Sequence, residues 1–400
     1  MNRAKTELTW GFSLTGLGRR RPTAGQAALA PVNLGTVSAI GGRVRLRKDG
    51  GASMSLLRRI LVIALVAAVV SCLFFLSNGY ATHAPRPHDV RIEVVGANGA
   101  AARVNAVFGH AVPGGFDVAS AADEAAARDD VATGKAYGAI IDASIGPVGL
   151  LTAGARGLAV QQIVTRAATA YALLQGRGIV QKDVVPLPPS DAAGVSAFFL
   201  QLGLLIPGLL VSVLLYLVGR RSRVWARFSG GVVYAMCAAA LGVLVMDAVF
   251  GALTGAPAAL FGISVLAAMA FVVTVAALQT VFGLPGTAVA AVVLLIVGNP
   301  LNGVTVAVPL LPDGYRQIAP AFPNNAAVRA IKDQIYFGGQ HSPKALLILS
   351  AWIVGGFLVI GIADWLHLRQ LRRTAHSPAD IYAKPIVGRR LPTATPPDST

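Results

Sequence analysis

The sequence predicts an α-helical polytopic membrane protein with six transmembrane helices and one small α/β domain between the first and the second. Three observations carry this expectation. Of 400 residues, 54% are hydrophobic and only 13% charged, whereas a soluble globular chain carries roughly 25% charged residues. Six apolar runs approach the roughly 20 residues that a helix needs to cross a hydrocarbon core of about 30 Å. Between the first two runs lies a segment, residues 78–192, of ordinary soluble composition with nine Lys/Arg against ten Asp/Glu.

Residues 1–53 are polar, rich in Arg and Gly, and lack helical periodicity, so they are expected to form a disordered basic extension. The sequence from Met54, MSLLRRILVIAL, would itself serve as the start of a membrane anchor. The first span is centred on Ile60 to Leu76, follows Arg58 and Arg59, and contains no charge. A basic flank before an apolar core also describes a signal peptide. The run is longer than the usual signal core, and SNGYATHA after it is a poor cleavage site, so an anchor spanning about 56–77 is expected.

In the inserted domain, HDVRIEVVGA alternates as a strand does and AAARVNAVF reads as a short helix. FDVAS is a second strand. Ser120, three residues before Asp123, resembles a capping box opening the helix AADEAAARDDVAT, which Gly134 can end. AYGAIIDA and Val148 to Thr152 are strands, Leu158 to Leu174 a long helix, and IVQKDVVPL a final extended stretch. Alternating strands and helices imply a small α/β sheet. The Pro-rich PLPPSDAAG leads into the second span.

The remaining spans are expected at about Val195–Val218, Gly231–Phe250, Ala258–Phe282, Thr287–Val308 and Ala345–Leu366, a five-helix domain over residues 195–371 with a disordered tail at 372–400. Gly298, Asn299 and Pro300 break the fifth of the six spans, with Asn302 and Gly303 just beyond. Pro312, Pro320, Pro323 and the helix-like NNAAVRAIKDQIYF follow. Proline lacks a backbone donor, which lipid tolerates only where protein or a watered cavity satisfies the freed groups. A re-entrant, gating segment over about 299–340 is therefore expected; an ordinary span ending in a loop is the alternative.

Orientation follows from Lys and Arg near the span ends. Of the 34, 11 precede the first span, four lie in the loop between the second and third, and six follow the last. These place both termini in the cytoplasm of a multi-pass cell-membrane protein, with the α/β domain and the segment after the fifth span outside. The formal net charge of +16 then belongs to the cytoplasmic face and its anionic lipid, not to nucleic acid.

No P-loop, HExxH, CxxC pair or GxSxG occurs, so no ATPase, metal, cofactor or nucleophile site is expected in the chain itself, and no enzyme activity. Cys72 and Cys237 fall within spans, read as packed thiols, and leave the inserted domain without a disulfide. Ionisable groups within spans are functional candidates. Asp247 and Asp364 qualify, each close enough to an interface to be simply solvated. Gln201 and Gln279 are read as interhelical hydrogen-bond formers. The loop with Arg220, Arg221, Arg223 and Arg227 offers Trp225 and Phe228 as apolar anchors for a cytoplasmic partner, or serves only the positive-inside bias.

One amino-terminal span, an inserted strand-helix-strand (FDVASAADEAAARDDVATGKAYGAIID) and five further spans followed by GNPLNGVTVAVPLLPDGYRQIAPAFPNNAAVRAIKDQIYFGG resemble type-2 ABC transporter permeases, near the phage-infection-protein and nitrosoguanidine-resistance groups. The resemblance covers about Leu56 to Leu371 and rests on layout more than on single residues. It implies a permease, as a homodimer or heterodimer, that exports a hydrophobic or amphipathic compound with a separate P-loop ATPase. That ATPase would couple at Arg220 to Phe228, and the re-entrant segment would close the outer mouth. Residues 38–54, Gly- and Arg-rich, depart from the amphipathic interface helix usual before the first span. The alternative is a non-transporting envelope protein whose outer domain binds a ligand, surface polymer or protein.

Overall fold

The structure, a computed structural model, describes residues 50–375 apart from 144 and 220–223. The expected extension up to residue 49, the tail from 376, and Arg220, Arg221 and Arg223 lie outside the described residues. The chain divides into two units, Met1–Arg59 and Ile60–Thr400. Of the first, only the run 50–59, which opens a helix, is described; all that follows concerns the second.

That helix, α1 (Gly50–Thr82), begins inside the segment expected to be unstructured. Its apolar side chains from Ile60 to Leu76 are exposed on every face. A helix apolar all round is stable only in an apolar surrounding. Its C-terminal turns are held differently: Ser77 donates to the Ile296 carbonyl at 2.6 Å, and Tyr80 meets the Tyr315 ring edge-on.

The α/β domain follows as β1 (Val90–Gly96), α2 (Ala100–Ala111), β2 (Phe116–Ser120), α3 (Glu124–Ala132), β3 (Gly138–Asp142), β4 (Val148–Thr152), α4 (Leu158–Leu174) and β5 (Ile179–Asp183). The strand order is β2-β1-β3-β4-β5, parallel except at the β3/β4 pair. Alternation sends Val90, Ile92, Val94, Ile140 and Leu150 to one face, where α2 and α4 cover them with Val104, Phe108, Val160 and Val164. Ala139 and Leu151 point to the other face, against Ala127 and Val131 of α3. The domain is thus three layers.

One detail of the reading changes. The N-cap of α3 is Asp123, whose carboxylate accepts from the Ala126 amide at 2.7 Å. Ser120 ends β2 instead, because a side-chain oxygen three residues nearer the helix satisfies the free amide directly.

Beyond the domain run α5 (Ser196–Val218), α6 (Val224–Val243, extended by a π-helical turn at Leu244–Val249), α7 (Pro257–Phe282), α8 (Pro285–Ala291, extended by a π-turn at Val292–Val297), α9 (Asp313–Ile318), α10 (Pro323–Tyr336) and α11 (Ser342–Ala375). Among the described residues, five helices are long and apolar enough to cross a membrane; Pro285–Val297 is a shorter apolar helix. The stretch read as the fifth of six spans therefore ends as a helix at Val297, where Gly298, Asn299 and Pro300 stand.

Helix α7 is central, packed by α5, α6, α10 and α11. Close approach rests on glycine: a Cβ at Gly231 would lie 2.9 Å from Val272 Cγ1, at Gly242 2.7 Å from Leu200 Cδ1, and at Gly356 2.5 Å from Val273 Cγ1. Without a hydrophobic drive between helices in lipid, such backbone proximity supplies the packing. Cys72 and Cys237 are both free and exposed on helix surfaces, which corrects the expectation of packed thiols. Both stand on helix faces turned away from the rest of the bundle.

Candidate functional site

The C-terminal end of α5, the N-terminal end of α6, the C-terminal end of α7 and the second half of α11 enclose a cavity of about 250 Å³. Leu215, Met269, Val272, Val273 and Phe357 give it an apolar wall. Arg227, Gln279, Thr280 and Asp364 give it polar points. Four residues singled out from separate parts of the sequence, Arg227, Phe228, Gln279 and Asp364, therefore line one space.

Each is placed by local structure. The Phe228 and Phe357 rings meet edge-on at 5.1 Å and pin α6 to α11. Gly219 lets the Arg227 stem pass, since a Cβ there would fall 2.7 Å from Arg227 Cγ. The Arg227 guanidinium then lies 5.4 Å from the centre of the Tyr216 ring, a cation–π distance. Its Nε is buried and, among the described residues, has no hydrogen-bond partner. Gln279, 3% exposed, donates to Thr287 Oγ1 at 2.9 Å and ties α7 to α8. Asp364 is exposed at the cavity's edge and, among the described residues, forms no ion pair with Arg227. The arrangement can seat an apolar body while offering separate positive, amide and negative groups.

The other predicted positions lie elsewhere. Gln201 is fully buried on α5, and among the described residues neither amide atom has a hydrogen-bond partner. Asp247 sits half-buried in the π-turn that ends α6. The Trp225 backbone is in α6; its side chain lies outside what is described.

The broken segment is held by Asn299 and Asn302, which the sequence reading singled out, and by Asn324 and Asn325, which it did not name as site residues. Asn324 donates to the Leu294 carbonyl at 3.1 Å, and Asn325 to those of Leu301 at 3.0 Å and Asn302 at 3.4 Å. Gly298 is required beneath Asn324, whose Oδ1 would be 2.5 Å from any Cβ there. Asn299 donates to Asn78 Oδ1 at the end of α1, 3.1 Å away. Pro300 opens a single 3-10 turn, after which Asn302 Oδ1 accepts from the Val304 and Thr305 amides and Gly303 takes φ +83. Side-chain amides thus replace the ladder that Pro300 interrupts. The signal was present as the pair NN directly after a proline, but its acceptors are some 20 to 30 residues away.

Comparison with protein-family models, curated proteins and solved structures finds no match to this chain.

Proposed function

We propose that this chain is a permease subunit of the cell membrane that exports a hydrophobic or amphipathic compound. The single observation that carries the reading is the cavity inside the helix bundle, apolar along its walls and fringed by Arg227, Gln279 and Asp364. Placing ionisable and amide groups within apolar helices is costly and marks substrate paths by default. In this reading both termini are cytoplasmic, the α/β domain is outside, and Pro285–Val297 with the broken segment completes a sixth pass as a re-entrant element. Energy comes from a separate P-loop ATPase chain docking at Arg220 to Phe228, and two copies, identical or related, enclose the path. The chain itself is not an enzyme.

The test has three parts. An ATPase should co-purify and be lost on replacing Arg221, Arg223 and Trp225. Gln279→Leu with Asp364→Asn should abolish an efflux phenotype while leaving the protein in the membrane. A cysteine at the fully exposed Ile145, in a background lacking Cys72 and Cys237, should label with a membrane-impermeant maleimide from outside intact cells. If no ATPase co-purifies and deletion changes no efflux, the permease reading is dropped. Labelling only after lysis reverses the topology.

A second reading, an envelope protein whose α/β domain binds a ligand, is favoured by a cleft on that domain's other border.

A further inference from the structure

Where the α/β domain meets the broken segment and α10, a cleft of about 410 Å³ opens, entirely separate from the cavity above. Its floor carries Arg156 from the turn after β4, and Arg329 and Lys332 from α10; Lys135 stands at the rim. The rim lysine is paired with Asp130 at 3.0 Å. The other three are not: among the described residues no carboxylate lies within ion-pair distance of Arg156, Arg329 or Lys332. Asp333, the cleft's carboxylate, is engaged on its own segment: Oδ2 accepts from the Ser342 hydroxyl at 2.7 Å and the His341 amide at 2.9 Å, and Oδ1 lies 3.4 Å from His341 Nδ1. The nearby Asp191 caps α5 by accepting from the Val195 and Ser196 amides.

Of the three cations, Arg156 is also held in place. Arg156 donates to the Gly134 carbonyl and lies 4.1 Å over the Tyr137 ring. Gly134 has φ +78, and a Cβ on it would sit 3.0 Å from Arg156 Nη1 and 3.2 Å from Phe337. The turn carrying Arg156 is fixed by Asp183, which accepts from the Gly154 amide and from Gln161 Nε2, both at 3.0 Å. Arg329 and Lys332, three residues apart, share one face of α10. Burial first, and the Arg156 charge second, push the Lys332 ammonium down to about 8, with Asp191 opposing. Like charges gathered and half-buried without a directly paired carboxylate destabilise the empty protein. Val308, Pro309, Pro320 and Phe337 give the cleft an apolar stretch of wall beside the polar Asn302 and His341, and Asn325 adds a buried Oδ1 that has no donor among the described residues.

We propose that this cleft binds the phosphate-class anion of a small hydroxylated molecule. Two guanidinium groups and an ammonium match the multiple acceptor oxygens of a phosphate ester. The unused Asn325 oxygen accepts a hydroxyl beside it, and the apolar wall covers the carbon skeleton. The phosphoglycerol group has this chemistry whether it belongs to a lipid headgroup or to soluble glycerol phosphate. The assignment holds under either functional reading above.

The full chain, purified in a neutral detergent, is titrated with glycerol phosphate, dioctanoyl phosphatidylglycerol and dioctanoyl phosphatidylcholine, followed by calorimetry and by thermal melting. Saturable, salt-sensitive binding is expected for one or both phosphoglycerol probes and not for phosphatidylcholine. Binding of glycerol phosphate marks a soluble source; binding confined to the anionic lipid marks a headgroup. Lys332→Gln and Arg329→Gln should each weaken binding roughly tenfold or more, from the loss of a charge-assisted hydrogen bond. Arg128→Gln, on a surface pair with Glu124, should leave it unchanged. Lys332→Gln should also raise the melting temperature of the ligand-free protein, since it relieves like-charge crowding, so a folding defect cannot pass for a binding defect. Absence of saturable binding, equal binding of phosphatidylcholine, or Gln variants that bind as the native chain does would each overturn the proposal.

Discussion

Asp142 closes β3 and is 4% exposed, yet it is an ionised acceptor at the centre of a cationic group. It accepts from Arg177 Nη1 at 2.6 Å, Tyr171 Oη at 2.8 Å and Arg103 Nη2 at 3.1 Å. Burial alone would raise its pKa; the hydrogen bonds from Tyr171, Arg177 and Arg103 outweigh burial and hold the carboxyl below its ordinary 3.8. Asp142→Asn keeps the shape and removes the charge. Arg103 is half-exposed and loses little. Arg177, 17% exposed, loses its counter-ion but keeps the Gly146 and Ala143 carbonyls. Orphaning a buried ion costs about 3–5 kcal/mol, and the two retained carbonyls bring this near 3. A free-energy loss of about 3 kcal/mol is roughly a hundredfold change in an opening equilibrium. Hydrogen exchange of the full chain in detergent should therefore show β1 and β3 amides exchanging roughly a hundredfold faster, with α5 and α7 unchanged. The sign with pH follows. A carboxyl whose folded value lies below its unfolded value contributes fully above the unfolded value, and that contribution fades as pH falls through the folded one. The native domain should loosen below pH 3.8, and Asp142→Asn should lack that component. Acceleration of less than about threefold, or an undiminished acid response in the variant, would refute the reasoning.

Gln201 is buried with both amide atoms unpaired, so Gln201→Leu should leave melting unchanged or stabilise by about 1 kcal/mol, since an unsatisfied polar group is removed; a loss of stability would show that the amide has a partner in the membrane. At Gly286, a Cβ would lie 2.1 Å from the Leu278 carbonyl oxygen, a backbone atom that cannot step aside. Gly286→Ala should cost at least about 2 kcal/mol, read as a lower melting temperature, whereas Gly262→Ala, with nothing within 4 Å, should melt as the native chain does.

What the sequence determined by itself is local. The long apolar helices, the five strands and α2 to α4 follow from hydropathy and period, because a span or an alternating strand records its surroundings in its own side chains. The break at Gly298–Pro300 was legible for the same reason: proline and glycine act on their own backbone. Even the intramembrane candidates Gln279 and Asp364 were visible one by one, since a polar group in an apolar run stands out. Their meeting with Arg227 and Phe228 around one cavity was decided by helix packing, set by where Gly231, Gly242 and Gly356 let backbones approach. The cationic cleft was less legible still. Arg156 follows β4 and Arg329 and Lys332 lie some 170 residues later, and in sequence each reads as an ordinary surface charge. Only the folded chain brings them together and assigns the nearby carboxylates of Asp183, Asp191 and Asp333 to backbone and hydroxyl donors. Whether a charge is left uncompensated depends on distances of a few ångströms between remote segments, and the tertiary structure alone fixes those.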